Sequence, residues 1–149
     1  MSISKTTLWT VLGAALFMSV TAYGISSAVD TPRTLMSPID YGQAKKSIEA
    51  DTKAALGKCR DDADPAAREI CKAQARADER IRKADLDAQY HGTVAAGAEA
   101  RLARAKAHYE VAKARCSAEH GEGKIVCLRN ARADKARALT EARTGAAAT

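Results

Sequence analysis

Apolar residues, largely alanine, recur every three or four positions through residues 70–142. Over 65–90, Ile70, Ala77 and Ala84 interleave with Gln74, Ile81 and Ala88. Over 94–119 the stripe reads Leu102, Ala105, Tyr109, Ala112 and Cys116. A weaker one, Leu128, Ala131, Ala138 and Ala142, is interrupted by Lys135. This spacing places one side of a helix against a partner, as in a coiled coil, and alanine suits close approach.

Start and stop signals divide the pattern into four helices. Ser37, Pro38 and Asp40 supply an N-cap, a first helical residue with preset φ and a first-turn acid, predicting a helix to about Arg60. Asp64-Pro65 repeats the signal, because the residue before proline is pushed out of the α region and aspartate caps well. The second helix continues to His91-Gly92, where glycine can take a left-handed cap. Thr93 caps a third helix running toward Glu119. "HGEG" at 120–123 breaks the chain, and a fourth helix from Lys124 fades before Gly145. The expected fold class is all-α: one helical hairpin over 37–92, a second over 93–145, and four long Ala-rich helices in a bundle or elongated array. Residues 29–36 read as a linker and 146–149 as a disordered tail.

The N-terminal segment has a different pattern. Lys5 is followed by no charge until Asp30, and Leu8 to Val29 is a run of 22 uncharged residues. A basic start, an apolar middle and the small residues Ser26 and Ala28 describe a secretory signal over 1–28, cut after Ala28. The alternative is an uncleaved membrane anchor through residues 8–29, since about 20 apolar residues span a bilayer. With no cysteine before Cys59, an N-terminal lipid-modified cysteine is excluded. Both readings place the remainder outside the cytoplasm, in the periplasm or another exported location, with inner-membrane anchoring as the variant.

Composition sharpens the helical reading. The chain has 149 residues, only 4% aromatic and 28% charged, so its core must be thin. Ala, Lys, Arg, Glu and Gln are the strongest helix formers. The formal net charge is +6, and +5 without residues 1–28. Along the sequence the signs alternate, as in "KAQARADERIRKADLDAQ", which fits solvated helix faces with i to i+4 pairs. With no basic block and an exported chain, no nucleic-acid partner is expected.

The four cysteines say most about architecture. Along one continuous helix Cys59 and Cys71 would stand about 18 Å apart at 1.5 Å per residue. A disulfide needs Cα atoms roughly 4.4–6.8 Å apart, so the chain must fold back between them. Pro65 is the midpoint of Cys59 and Cys71, and Gly121–Glu122 the midpoint of Cys116 and Cys127. Each breaker thus falls where a hairpin turn would set its two cysteines opposite each other. Of the three possible pairings, the local one, Cys59–Cys71 with Cys116–Cys127, needs only that each hairpin forms, and short loops close at the smaller entropic cost. "KAALGKC" with the residues after Cys71 also aligns with "YEVAKARC" and the residues after Cys127 at an offset of 56–57, and both halves carry "ARAD". This reads as an internal helical repeat.

Little else points to chemistry. Cys116, His120 and Cys127 could offer three soft metal ligands, but the tight spacing of zinc sites is absent. Neither cysteine pair is the C-x-x-C of redox enzymes. His91, His108 and His120 are scattered over two turns and a helix, no nucleophile–base motif or phosphate-binding glycine loop occurs, and acids lie beside bases. No catalytic residue, metal site or cofactor is expected, and the chain reads as a non-enzyme.

"YEVAKARC" at 109–116 and "VCLRNARAD" at 126–134 are similar to repeated segments of exported, Ala/Lys-rich helical proteobacterial proteins with cysteine pairs, often labelled TolA-like for their composition. The long stalk and globular tail of TolA itself are missing. The resemblance implies a cell-envelope protein and carries over no catalytic residue. The expected function is a helical module that meets envelope proteins, a second copy of itself or the envelope surface. The alternative is a periplasmic metal- or stress-responsive binder.

Overall fold

The first turn of each helix leaves four backbone N–H groups without a partner, and the residues ahead of three helices supply acceptors. In the computed structural model, which describes residues 36–145, the Asp40 N–H donates to Ser37 Oγ (3.1 Å) and opens α1, Pro38–Lys58. Ala66 and Ala67 donate to the Asp64 carboxylate (3.2 and 3.0 Å) and open α2, Pro65–His91. Ala96 donates to Thr93 Oγ1 (3.1 Å) and opens α3, Val94–Ser117. Before α4, Gly121–Thr144, His120 occupies the cap without a side-chain hydrogen bond. The expected 1–28 leader or anchor, most of the 29–36 linker and the 146–149 tail lie outside the described residues.

The turns follow equally local causes. A 3₁₀ turn, Cys59–Asp61, closes α1 and delivers the chain to Pro65. Gly92 ends α2 at φ 63°, a left-handed conformation that costs glycine little. The third turn is narrower than "HGEG" suggests. α4 starts at Gly121 rather than Lys124, because Gly121 at φ 56° reverses the chain by itself and Gly123 is then carried inside the first helical turn.

Short connections set successive helices antiparallel. Among the described residues α1 packs on α2, α2 on α3 and α3 on α4, and no other pair of helices is in contact. The result is an all-α open array with a thin seam between each pair of neighbours. Ile48 is buried on α1 beside Leu86 of α2, and Thr52, buried one turn further along α1, donates its hydroxyl to the Ile48 carbonyl (2.8 Å). Ala77 is the buried contact of α2 toward α3, where Ala107 is fully enclosed. Ala105 and Cys116 of α3 meet Ala131 and Cys127 of α4, and Ala142 is buried near the far end.

A helix with two neighbours carries two seams, and this corrects part of the sequence pattern. Gln74, placed in the α2 stripe by its heptad position, is exposed, whereas Leu86, outside that stripe, is buried. On α3, Ala100 and Ala107 form a buried row on the side opposite Ala105 and Cys116, at 100° per residue. Lys135 does not break the α4 seam. Its ammonium lies 4.3 Å from the centroid of the Tyr109 ring, so its aliphatic stem covers the seam while the charge faces the π system.

Candidate functional site

The cysteines meet as the hairpin geometry requires. Cys59 bonds Cys71 with Cα atoms 5.6 Å apart, and Cys116 bonds Cys127 at 5.5 Å. Cys59 and Cys116 are each 1% exposed, so the bonds are built into the seams and not displayed at the surface. Both lie at the same end of the array, since the single turn at Gly92 separates α2 from α3. Disulfides persist in oxidising compartments, which accords with an exported chain.

The opposite end of the first hairpin is held by side chains. Tyr41 near the start of α1 stacks on Tyr90 near the end of α2, with ring centroids 4.4 Å apart. The Tyr41 hydroxyl donates to Asp87 Oδ1 at 2.6 Å. That hydrogen bond to a carboxylate, with the repulsion between two negative charges, holds the phenol above its ordinary value. Between the two ends, Asp51 pairs with Arg82 (2.8 Å) and Glu49 with Lys83 (3.2 Å). Glu79 and then Glu49 raise the Lys83 pKa by accepting its hydrogen bonds. In the second hairpin, Arg101 Nε donates to the Ala142 carbonyl (3.2 Å) in the last turn of α4, where carbonyls have no intrahelical N–H to accept from.

The histidines remain apart. His91 is an exposed residue in the last turn of α2, edge-on to Tyr90 at 5.2 Å. His108 lines the α3–α4 groove, and His120 caps α4. Cys116 and Cys127 direct their sulfurs at each other, and among the described residues no three His, Cys, Asp or Glu side chains cluster as a metal site would require. No helix among the described residues is long and apolar enough to cross a membrane.

A groove of about 610 Å³ runs between α3 and α4 past the second disulfide. Ala112, Cys116, Val126, Cys127 and Ala131 line it, so its floor is apolar. Val126 is 42% exposed and its neighbour Ile125 61% exposed. A second groove, between α2 and α3, is lined with charge: Glu69, Lys72, Arg76, Arg80, Glu110 and Lys113.

The folded chain also separates charge in a way that sign alternation conceals. Residues 37–92 hold eleven basic and eleven acidic residues, whereas 93–145 hold eleven basic and six acidic. The net positive charge of the described array therefore belongs to the second hairpin. Counting charge by hairpin, instead of reading it along the chain, would have exposed this from sequence. On α4, Arg129, Arg132 and Arg143 are exposed, and the ion pairs of that helix, Arg137 with Asp134 (2.9 Å) and Glu141 (4.0 Å), leave all three aside.

No family model matches the chain, and no curated protein or solved structure matches it either. The functional reading therefore rests on these surfaces.

Proposed function

We propose that this chain is a non-enzymatic, exported cell-envelope protein that acts as a helical interaction module, meeting other proteins or the envelope surface through its helix faces. One observation carries the reading. Among the described residues α4 packs on α3 alone, and its outer side sets the exposed Ile125 and Val126 beside arginines that pair with no carboxylate there. Exposed apolar side chains rimmed by charge are a recurrent feature of interaction surfaces. The cysteine pairs and the N-terminal sequence support export, and the similarity of residues 109–116 and 126–134 to TolA-like envelope proteins supports the setting. The rival metal-responsive reading has no cluster of three ligand side chains among the described residues to build on.

The test is a photo-crosslinking amino acid placed at Ala136, exposed on the outer side of α4, and separately at Ala50, exposed on α1. In intact cells the Ala136 probe is expected to give discrete adducts with envelope components. If neither position yields an adduct above that of unirradiated cells, the reading as an interaction module fails.

A further inference from the structure

We propose that the outer face of α4 is a docking surface for an anionic phospholipid bilayer, on which the second hairpin lies with α4 parallel to the membrane. This rests on the envelope-surface reading above and gives the surface a chemistry.

At 100° per residue, Ala131 and Ala142, both buried against α3, define the inner side of α4. Arg129, Arg132, Ala133, Ala136, Thr140 and Arg143 fall on the other side, and all are exposed. Ile125 projects from the same side near the N-terminal end, and Val126 stands at its edge, between that side and the α3–α4 groove. Only Glu122, in the first turn, adds a carboxylate to this face; Asp134 and Glu141 lie to one side and are engaged with Arg137. From Arg129 to Arg143 the face runs about 21 Å along the helix axis, enough to meet several lipid headgroups at once.

Three features select this occupant. The arginines are planar forks suited to phosphate oxygens, and among the described residues no carboxylate pairs with Arg129, Arg132 or Arg143. The excess charge of the array is confined to the hairpin that carries them, so an anionic plane would orient the protein as well as attract it. Ile125 and Val126, together with the methyls of Ala133 and Ala136, give the face an apolar component that can settle between headgroups. A nucleic acid would use the arginines and leave the two large apolar side chains in water.

α1 also turns an exposed Ile39 with Lys46 and Lys53 outward, but without the net charge of the second hairpin behind them. α1 carries Lys45, Lys46, Lys53 and Lys58, but Asp40, Glu49 and Asp51 lie on the same helix, and its hairpin is electrically balanced.

Vesicle co-sedimentation of the protein as recovered from expressing cells tests the proposal, using pure phosphatidylcholine and a mixture of phosphatidylcholine with phosphatidylglycerol. Binding through the apolar segment 8–29 would be common to both vesicles, so the anionic increment isolates the charged face. Each arginine near such a surface is worth about a factor of five. The triple change R129Q/R132Q/R143Q, which retains good helix formers, is expected to reduce the increment on the order of a hundredfold. It should leave helicity and both disulfides intact. The increment should also fall as salt is raised, and the α1 variant K45Q/K46Q/K53Q should keep it. An anionic preference that survives in the folded α4 variant overturns the proposal, as does equal binding to both vesicles. If equal vesicle binding is accompanied by discrete protein adducts from Ala136, the lipid inference fails and the interaction module stands. If the adducts are missing too, both fail.

Discussion

Tyr41 shows how much one side chain can contribute in a protein with so little large apolar surface. Its ring stacks on Tyr90 and its hydroxyl donates to Asp87, fastening the start of α1 to the end of α2. Because the folded-state phenol titrates above its unfolded value, this contribution is fully present below the unfolded value of about 10 and is lost as pH rises through the folded one. An alkaline titration followed by tyrosinate absorbance should therefore show a late-ionising component that disappears in Tyr41→Phe. It should move earlier in Asp87→Asn. Across the same pH range wild type should lose more thermal stability than Tyr41→Phe, and equal losses would contradict the assignment. None of this was legible beforehand. Tyr41 and Asp87 are 46 residues apart, and their meeting depends on the register of two long helices. The caps at Ser37, Asp64, Thr93 and Gly92 were legible, because each acts through hydrogen bonds within about four residues.

Among the helices, α2 and α3 have the demanding role, since each must present two small-residue seams at once. Alanine provides them at the expense of contrast: with so many alanines in the sequence, periodicity alone does not show which are buried. That is why the heptad pattern does not mark Ala100, Ala107 and Leu86 as buried and places the exposed Gln74 in a seam. Ala107, with no exposed surface, marks the close approach of α3 to α2. Enlarging it to leucine should force the helices apart and destabilise the protein by about 1–3 kcal/mol. Ala133→Leu, on the exposed side of α4, should change stability by less than about 0.5 kcal/mol. Chemical denaturation of the two variants checks this, and comparable effects would mean the α2–α3 seam is looser than its burial implies. Cysteine spacing, by contrast, stood out against the alanine background. A bond length and an intervening breaker are constraints that composition cannot blur, so both hairpins were readable from Cys59, Cys71, Cys116 and Cys127.

Taken as a whole, the described residues form three thin seams and no central core, and the two covalent bonds bear a correspondingly large part of their stability. In the chain-entropy model each closes a loop of about a dozen residues and contributes about 2–3 kcal/mol. Reduction of both should lower the thermal midpoint on the order of 15 °C or more. Circular dichroism melts with and without reductant measure this, and an unchanged midpoint would show that the alanine seams suffice. The sequence left open whether the helices close into a bundle or follow one another. The choice depends on whether the outer sides of α1 and α4 find each other, and no local signal encodes that. The polar and charged side chains on those two helices keep both outer sides compatible with solvent, and on α4 the balance is cationic.

The nearest-neighbour order of contacts has a kinetic corollary. Every seam joins helices adjacent in sequence, so each hairpin can form without residues that arrive later and the array can fold in the order of its synthesis. When Cys71 appears, Cys59 is the only other cysteine outside. Another 45 residues separate it from Cys116, a delay of about 2–9 s at ordinary synthesis rates. Hairpin collapse takes microseconds, so the first two cysteines are already held face to face while the second pair is still in transit. The order of delivery thus acts as a proofreader of pairing: each sulfur meets its proper mate before a wrong one is within reach.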